Sequence, residues 1–371
     1  MGGNNKGWST FILIVLIGIF LGVAGSVFIL LRAPRAIVIG DGGSAMSIAS
    51  STVNQPPARP PLDLAAYNAK LLEIANLPPP IVVRIPSSTA TTTAEPWPAS
   101  LWPVKTTYPD GGPLLPFNRI VAYYGNYYST AMGVLGEYPV PQMLAMLAST
   151  TAEWAAADSS TPVIPGIDYI AVAAQGSPGA DGKYRLRMPA SQIDQAIAEA
   201  NQENGVVILD IQLGLSNVQT EIPLLEPYLK VPNVELALDP EFAMHNGAKP
   251  GTVIGSLDAS DINYTAEYLA SIVRQNNLPP KVLIIHRFTQ PMVTNSADIA
   301  PLPEVQIVMD MDGFGSPAEK LTTYHDFIES EPVQFTGFKL FYKNDISYGG
   351  HLMTPSEVLK LTPQPSFIQY Q

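Results

Sequence analysis

From residue 119 to residue 371, eight short apolar runs recur with helix-like stretches between them, and this repeat limits the fold more than any other feature of the chain. The runs are 119–125 (RIVAYYG), 168–175 (DYIAVAAQ), 206–213 (VVILDIQL), 233–242 (NVELALDPEF), 281–288 (KVLIIHRF), 305–315 (VQIVMDMDGFG), 337–342 (GFKLFY) and 366–371 (SFIQYQ). Strands alternating with helices imply parallel pairing, and eight such units predict an α/β fold, a (β/α)8 TIM barrel, over residues 117–371. The sequence ends with the eighth run, so the barrel is expected without its last helix. Several runs finish in a carboxylate, an imidazole or another polar group, and barrels of this kind build their chemistry where the strands end.

The amino-terminal third has a composition that no packed core would choose. After a short tail (residues 1–8), residues 9–31 (STFILIVLIGIFLGVAGSVFILL) carry no charge, and about 20 apolar residues suffice to cross a bilayer as a helix. A cleaved signal peptide is the other reading, through the small residues Val23, Ala24, Gly25 and Ser26. The apolar run continues past them, beyond the ~7–15 residues of a signal core, which favours an uncleaved transmembrane helix. Lys6 stands on one side and Arg32 and Arg35 on the other, so the flanking charges do not argue for export. The argument for export is the next segment. Residues 32–116, rich in Pro, Ser, Thr and Gly, read as a stalk holding a domain away from a cell membrane, with one short helix near 63–76. That helix, with Leu64, Tyr67, Leu71, Leu72 and Ala75 near one face, is expected to cover the outer side of strands one and eight.

The net charge of −12 and the pI of 4.7 come with no basic run that would track a phosphate backbone, so nucleic acid is not an expected partner. There are no cysteines, which excludes disulfides, thiolate metal sites and a thiol nucleophile. Two segments, Ser316-Pro317-Ala318-Glu319 and Thr354-Pro355-Ser356-Glu357, combine a hydroxyl cap, a proline at the first helical position and a glutamate that reaches back to the cap. Residues 142–157 read as a helix burying Met143, Leu144, Met146, Leu147 and Trp154, and 191–201 and 261–275 read likewise. Residues 289–304, with Pro291, Pro301 and Pro303, predict a loop or a degenerate helix.

Side chains two apart on a strand share a face. Applied to the runs, this rule sends Asp210, Asp239, Glu241, Asp310, Asp312 and His286 to one rim, with Tyr342 and Tyr124 or Tyr123 beside them. Crowded carboxyl groups cannot all ionise, so one acquires a raised pKa and serves as an acid near neutrality. Glycosidic hydrolysis needs such a pair, one group to protonate the leaving oxygen and one to act as nucleophile or base. Glu241, at the tip of strand four, is the candidate acid, with Asp239, Asp210 or Asp310 as its partner. Asp312, His286, Tyr124 and Tyr342 are candidate substrate-binding residues. Glu235 reads as an outward or wrongly phased residue, and His286-Arg287 has an alternative reading as an ion-pairing couple that closes the barrel.

Metal chemistry competes. The four histidines form neither a His-x-His pair nor a His-Glu-x-x-His helix, which argues against zinc sites of those patterns, while a hard cation on Asp310, Asp312 and Asp210 is chemically open. Phosphate-cradling glycine loops are absent, and the expectation is a chain without cofactor or resident metal.

On these strands and carboxylate tips, above all LALDPEF in strand four, the chain resembles the glycoside-hydrolase-like TIM barrels of bacterial surfaces over roughly its last two thirds. The Asp-x-x-Asp-x-Asp-x-Glu signature of chitinase-type barrels is missing, so the resemblance implies neither substrate nor stereochemistry. With the apolar run and the stalk, the expectation is a membrane-anchored, extracytoplasmic protein acting on a surface polysaccharide by carboxylate acid/base catalysis. The alternative is a non-catalytic glycan-binding or scaffold barrel of an envelope assembly.

Overall fold

Runs that are apolar at nearly every position suit strands buried on both faces, between a barrel interior and a helical shell. In the computed structural model, which describes residues 59–77, 101–347 and 349–371, they form eight parallel strands. These are β1 (Arg119–Gly125), β2 (Val163–Ala174), β3 (Val206–Ile211), β4 (Val234–Leu238), β5 (Lys281–Arg287), β6 (Val305–Met311), β7 (Phe335–Leu340) and β8 (Phe367–Tyr370). Each pairs with the next, and β1 also pairs with β8, with Ile120 opposite Phe367, so the barrel is closed. The strand β2 begins five residues before the run that predicts it. Pro165 and Gly166 interrupt the apolar signal, yet Gly166 is needed because a Cβ there would lie 2.8 Å from that of Ala122.

Among the described residues, the α-helices of eight residues or more are α1 (Leu64–Ala75), α2 (Val140–Ala157), α3 (Ala190–Gln202), α4 (Ala259–Asn276) and α5 (Pro317–Tyr324). The capping boxes at Ser316/Glu319 and Thr354/Glu357 both form, and a third closes α4 through Asp258 and Asp261. Met143, Leu144, Leu147 and Trp154 of α2 are buried in the outer core. Residues 289–304 hold only two 3-10 turns and the two-residue strand Val293–Thr294, as their prolines require.

Alternation within each strand separates two cores. Val121, Ile167, Leu209, Leu236, Ile285 and Ile307 pack against the helices. Ile120, Ala122, Ile208, Ala237, Ile284 and Val308 fill the barrel interior. The same parity places Glu235 inside, 1% exposed and accepting from the Val282 amide at 2.6 Å, which corrects its reading as an outward residue.

The helix α1 forms as expected, capped by Asp63 and ended by Asn76 in the left-handed region, but its position differs. It lies under the barrel floor rather than over the outer side of β1 and β8. Tyr67 and Ile74 join the interior cluster with Leu115, Phe335 and Phe367, and the Gln364 amide donates to the Ile74 carbonyl at 2.7 Å. An amphipathic face states that a helix is covered and not by what. The packed unit also begins before residue 117. Leu115 is fully buried, donating to and accepting from the Gln306 amide side chain, and the Asp110 amide donates to the Pro303 carbonyl. The apolar run 9–31 and the remainder of the stalk lie outside the described residues. Among the described residues no helix is long and apolar enough to cross a membrane.

Removing the floor should be costly. Tyr67→Ala is expected to destabilise the barrel by about 3 kcal/mol, as loss of a buried aromatic side chain does, and deletion of residues 63–76 by more. Calorimetry that returned an unchanged melting temperature for the deletion would refute the plug role of α1.

Candidate active site

The interior changes character at the carboxyl ends of the strands. Above the apolar layer sit Tyr124 (β1), Asp168 (β2), Asp210 (β3), Asp239 (following β4), His286 (β5), Asp310 (β6), Lys339 (β7) and Gln369 (β8), all buried. Glu241, Asp312 and Gln212, each just beyond a strand, complete the layer. Strand register sets the pairs: Asp310 stands opposite His286 on β5 and Gly337 on β7. The glycine is needed there, since a Cβ on residue 337 would fall 2.4 Å from Asp310 Oδ1.

His286 lies at the centre. Its Nε2 is 2.9 Å from Asp210 Oδ2, and its Nδ1 is 3.1 Å from Asp310 Oδ2 and 3.6 Å from Asp312 Oδ2. Burial opposes charge on the ring, but the bonds to Asp210 and Asp310 and the charge of Asp312 raise its pKa well above the ordinary histidine value. The second cation is Lys339, whose Nζ is 2.8 Å from Asp312 Oδ1 and 4.0 Å from the Tyr124 ring centre. Burial pulls the ammonium down and Asp312 pushes it up, with the net direction upward. A buried ammonium over an aromatic face gains electrostatic support that water no longer supplies.

Six carboxyl groups thus surround two cationic groups, and desolvation forces some of the acids to keep protons. Burial, then the charge of Asp210, raises Asp168 well above the carboxylate range, and Gln369 donates to its Oδ2. Burial also raises Asp310, against the opposing bond to His286. Asp239 accepts from Gln212 Nε2 at 3.3 Å and from the Glu241 amide at 3.2 Å, and burial with the Asp210 charge pushes it up to about 7. Burial, then Asp239 and Asp312, raise Glu241 well above its ordinary value. Among the described residues, Glu241 Oε1, Asp168 Oδ1, Asp210 Oδ1 and Asp310 Oδ1 are buried without a hydrogen-bond partner.

The structure therefore brings Asp210, Asp239, Glu241, His286, Asp310, Asp312 and Tyr124 together. The Tyr124 hydroxyl accepts from Gln212 Nε2 at 3.1 Å. Tyr342 lies apart from the cluster: its hydroxyl pairs with that of Tyr123 at 3.1 Å and its ring stacks on Tyr370, in the outer layer. Tyr127 is likewise held in the shell, donating to Glu199 at 2.6 Å. Arg287 points away from His286 to Glu331 and the Phe327 carbonyl, so the two do not form a couple. A surface depression beside β7 and β8, lined by Thr130, Gly133, Phe341, Tyr342 and Asn344, adjoins the cluster through Phe341, whose ring centre is 5.1 Å from Lys339 Nζ.

Asp168, Lys339 and Gln369 are members that sequence reasoning missed. Asp168 reads as the start of a run because β2 begins earlier than its apolar signal, and Lys339 and Gln369 are mid-strand polar residues with the inward parity of Gly337 and Phe367.

No family model matches the chain, and no curated protein matches it. Among solved structures it is similar to the Bacillus subtilis mannanase BCman, at 12% identity and a TM-score of 0.34, over 70% of this chain and 81% of that one. It is also similar to a GH18 chitinase from Pseudoalteromonas aurantia, at 12% identity and a TM-score of 0.28, over 68% of this chain and 94% of that one. Likenesses this distant do not bear on what the site does.

The raised carboxyl groups have a consequence for stability. Asp239 keeps its proton in the folded barrel across a pH range in which the unfolded chain, titrating at about 4, has released it. Its contribution is full below that value and is lost as pH rises to about 7. Asp239→Asn is expected to flatten the fall in melting temperature across this window in scanning calorimetry, and an unaltered slope would show that Asp239 titrates normally.

Proposed function

We propose that the protein is a glycoside-hydrolase-like barrel in which Glu241 is the acid and Asp239 the carboxylate beside it. The observation that carries this reading is the state of Glu241: buried, raised in pKa, and with a carboxyl oxygen that has no hydrogen-bond partner among the described residues. A protonated carboxyl so placed can donate to a leaving glycosidic oxygen. Asp239, near 7, is available as a carboxylate to stabilise the positive charge that develops on the sugar ring. Gln212 holds Asp239 in position, and Phe341 offers an apolar face at the adjoining depression. The substrate class is a polysaccharide at the cell surface. The chain is tethered through residues 9–31, with its barrel on the extracytoplasmic side.

The enclosure of the rim favours a second reading, a non-catalytic glycan-binding or scaffold barrel, because Glu241 and Asp312 are only 7% and 8% exposed. A glycan panel with product analysis separates the two. Glu241→Gln, nearly isosteric, is expected to retain the fold and lose about 10²–10⁴ in turnover of any glycan the protein cleaves. Full activity in that variant would remove Glu241 as the acid, and binding without cleavage by the unaltered protein would establish the scaffold reading.

A further inference from the structure

The acid pair after β4 makes no use of the other half of the cluster, formed by His286, Asp310, Asp312 and Asp210. We propose that His286 Nδ1 and the Oδ2 atoms of Asp310 and Asp312 bind one divalent first-row cation of the manganese-to-zinc range. The ligand atoms of these three residues all lie within 4.8 Å of one another. Ligands about 2.1 Å from an ion sit roughly 3.0–3.4 Å apart in octahedral or tetrahedral geometry; the Nδ1 separation from Asp310, 3.1 Å, falls in that range, and that from Asp312, 3.6 Å, is slightly longer, so Asp312 must move in by a few tenths of an ångström. One imidazole and two carboxylates form a borderline donor set, which suits these ions better than calcium or magnesium.

The surroundings are those of a built site. Metal-binding histidines commonly donate their other ring N–H to a carboxylate, and His286 Nε2 has Asp210 Oδ2 at 2.9 Å. Lys339 engages Asp312 through Oδ1, leaving Oδ2 on the His286 side. An independent sign is Glu241, nine-tenths buried, whose Oε1 has no hydrogen-bond partner among the described residues and whose carboxyl is within electrostatic reach of Asp312 and His286. The lack of a paired-histidine motif excludes zinc sites of that pattern and no others. The rival occupant of the same point is a proton shared between His286 and Asp310. This inference goes beyond the acid/base reading and does not rest on it.

The test uses the full chain in mild detergent, stripped with chelator and titrated with Mn²⁺, the free ion followed by electron paramagnetic resonance, and with Zn²⁺ in competition. One saturable site is expected, with Kd below about 1 mM. His286→Ala and Asp310→Asn should each weaken it about a hundredfold or more, and Asp210→Ala about tenfold. Asp312→Asn, at the rim, carries the test if His286→Ala does not fold. Glu241→Gln should keep the ion while losing turnover, so failure of this inference is distinguishable from failure of the hydrolase reading. No saturable binding by the unaltered protein, or equal binding by the folded ligand variants, would overturn the site and leave the shared proton.

Discussion

The structure turns on how a barrel tolerates six carboxyl groups taken out of water. An isolated buried carboxylate is too costly to persist, so each group must be paired, hydrogen-bonded or protonated. All three solutions occur in one layer. His286 and Lys339 supply the pairing, the amides of Gln212 and Gln369 supply neutral donors, and the raised acids keep protons. The apolar layer below seals the cluster from the floor, and this sealing gives each charge its long reach.

Within that layer the groups divide by how well they are satisfied. Around His286 both ring nitrogens are engaged, and geometry set by the register of β5 and β6 holds the ring between the Oδ2 atoms of Asp210 and Asp310. At β4 the turn following the strand leaves Glu241 Oε1 without a hydrogen-bond partner among the described residues, while the Glu241 amide donates to Asp239. A layer in which His286 is held from two sides while Glu241 is held by fewer bonds suits a site where one part must remain fixed and another must exchange protons.

Much of this was legible from alternation alone. The period of two on β3, β5 and β6 assigns Asp210, His286 and Asp310 to the interior, because a side chain's face follows from its count along the strand. What alternation does not supply is where a strand begins. Pro165 and Gly166 hide the first five residues of β2, so Asp168 reads as the opening residue of a strand and not as a member of the site. Lys339 is invisible for another reason: a lysine inside an apolar run reads as an intrusion until a buried carboxylate is known to face it. Tyr342, one residue past the inward Phe341, belongs to the opposite face, and tyrosines suit a shell as well as a site. The helix α1 was readable as a helix, but its address under the floor depends on the tertiary contacts of Tyr67 and Ile74.

The location of α1 also determines where the start of the described unit is fastened to the barrel. Arg59, just upstream of it, is anchored to Asp110 and Asn277 at the closed end, and the helix is pinned there by Lys70 to Thr161 and by Asn76 to Leu361. These contacts join the start of the described unit to the stopper and to the loops that clasp it. The strands that lead to Glu241 and His286 make none of these four contacts, so a pull applied at residue 59 would fall first on the closed end and not on the mouth.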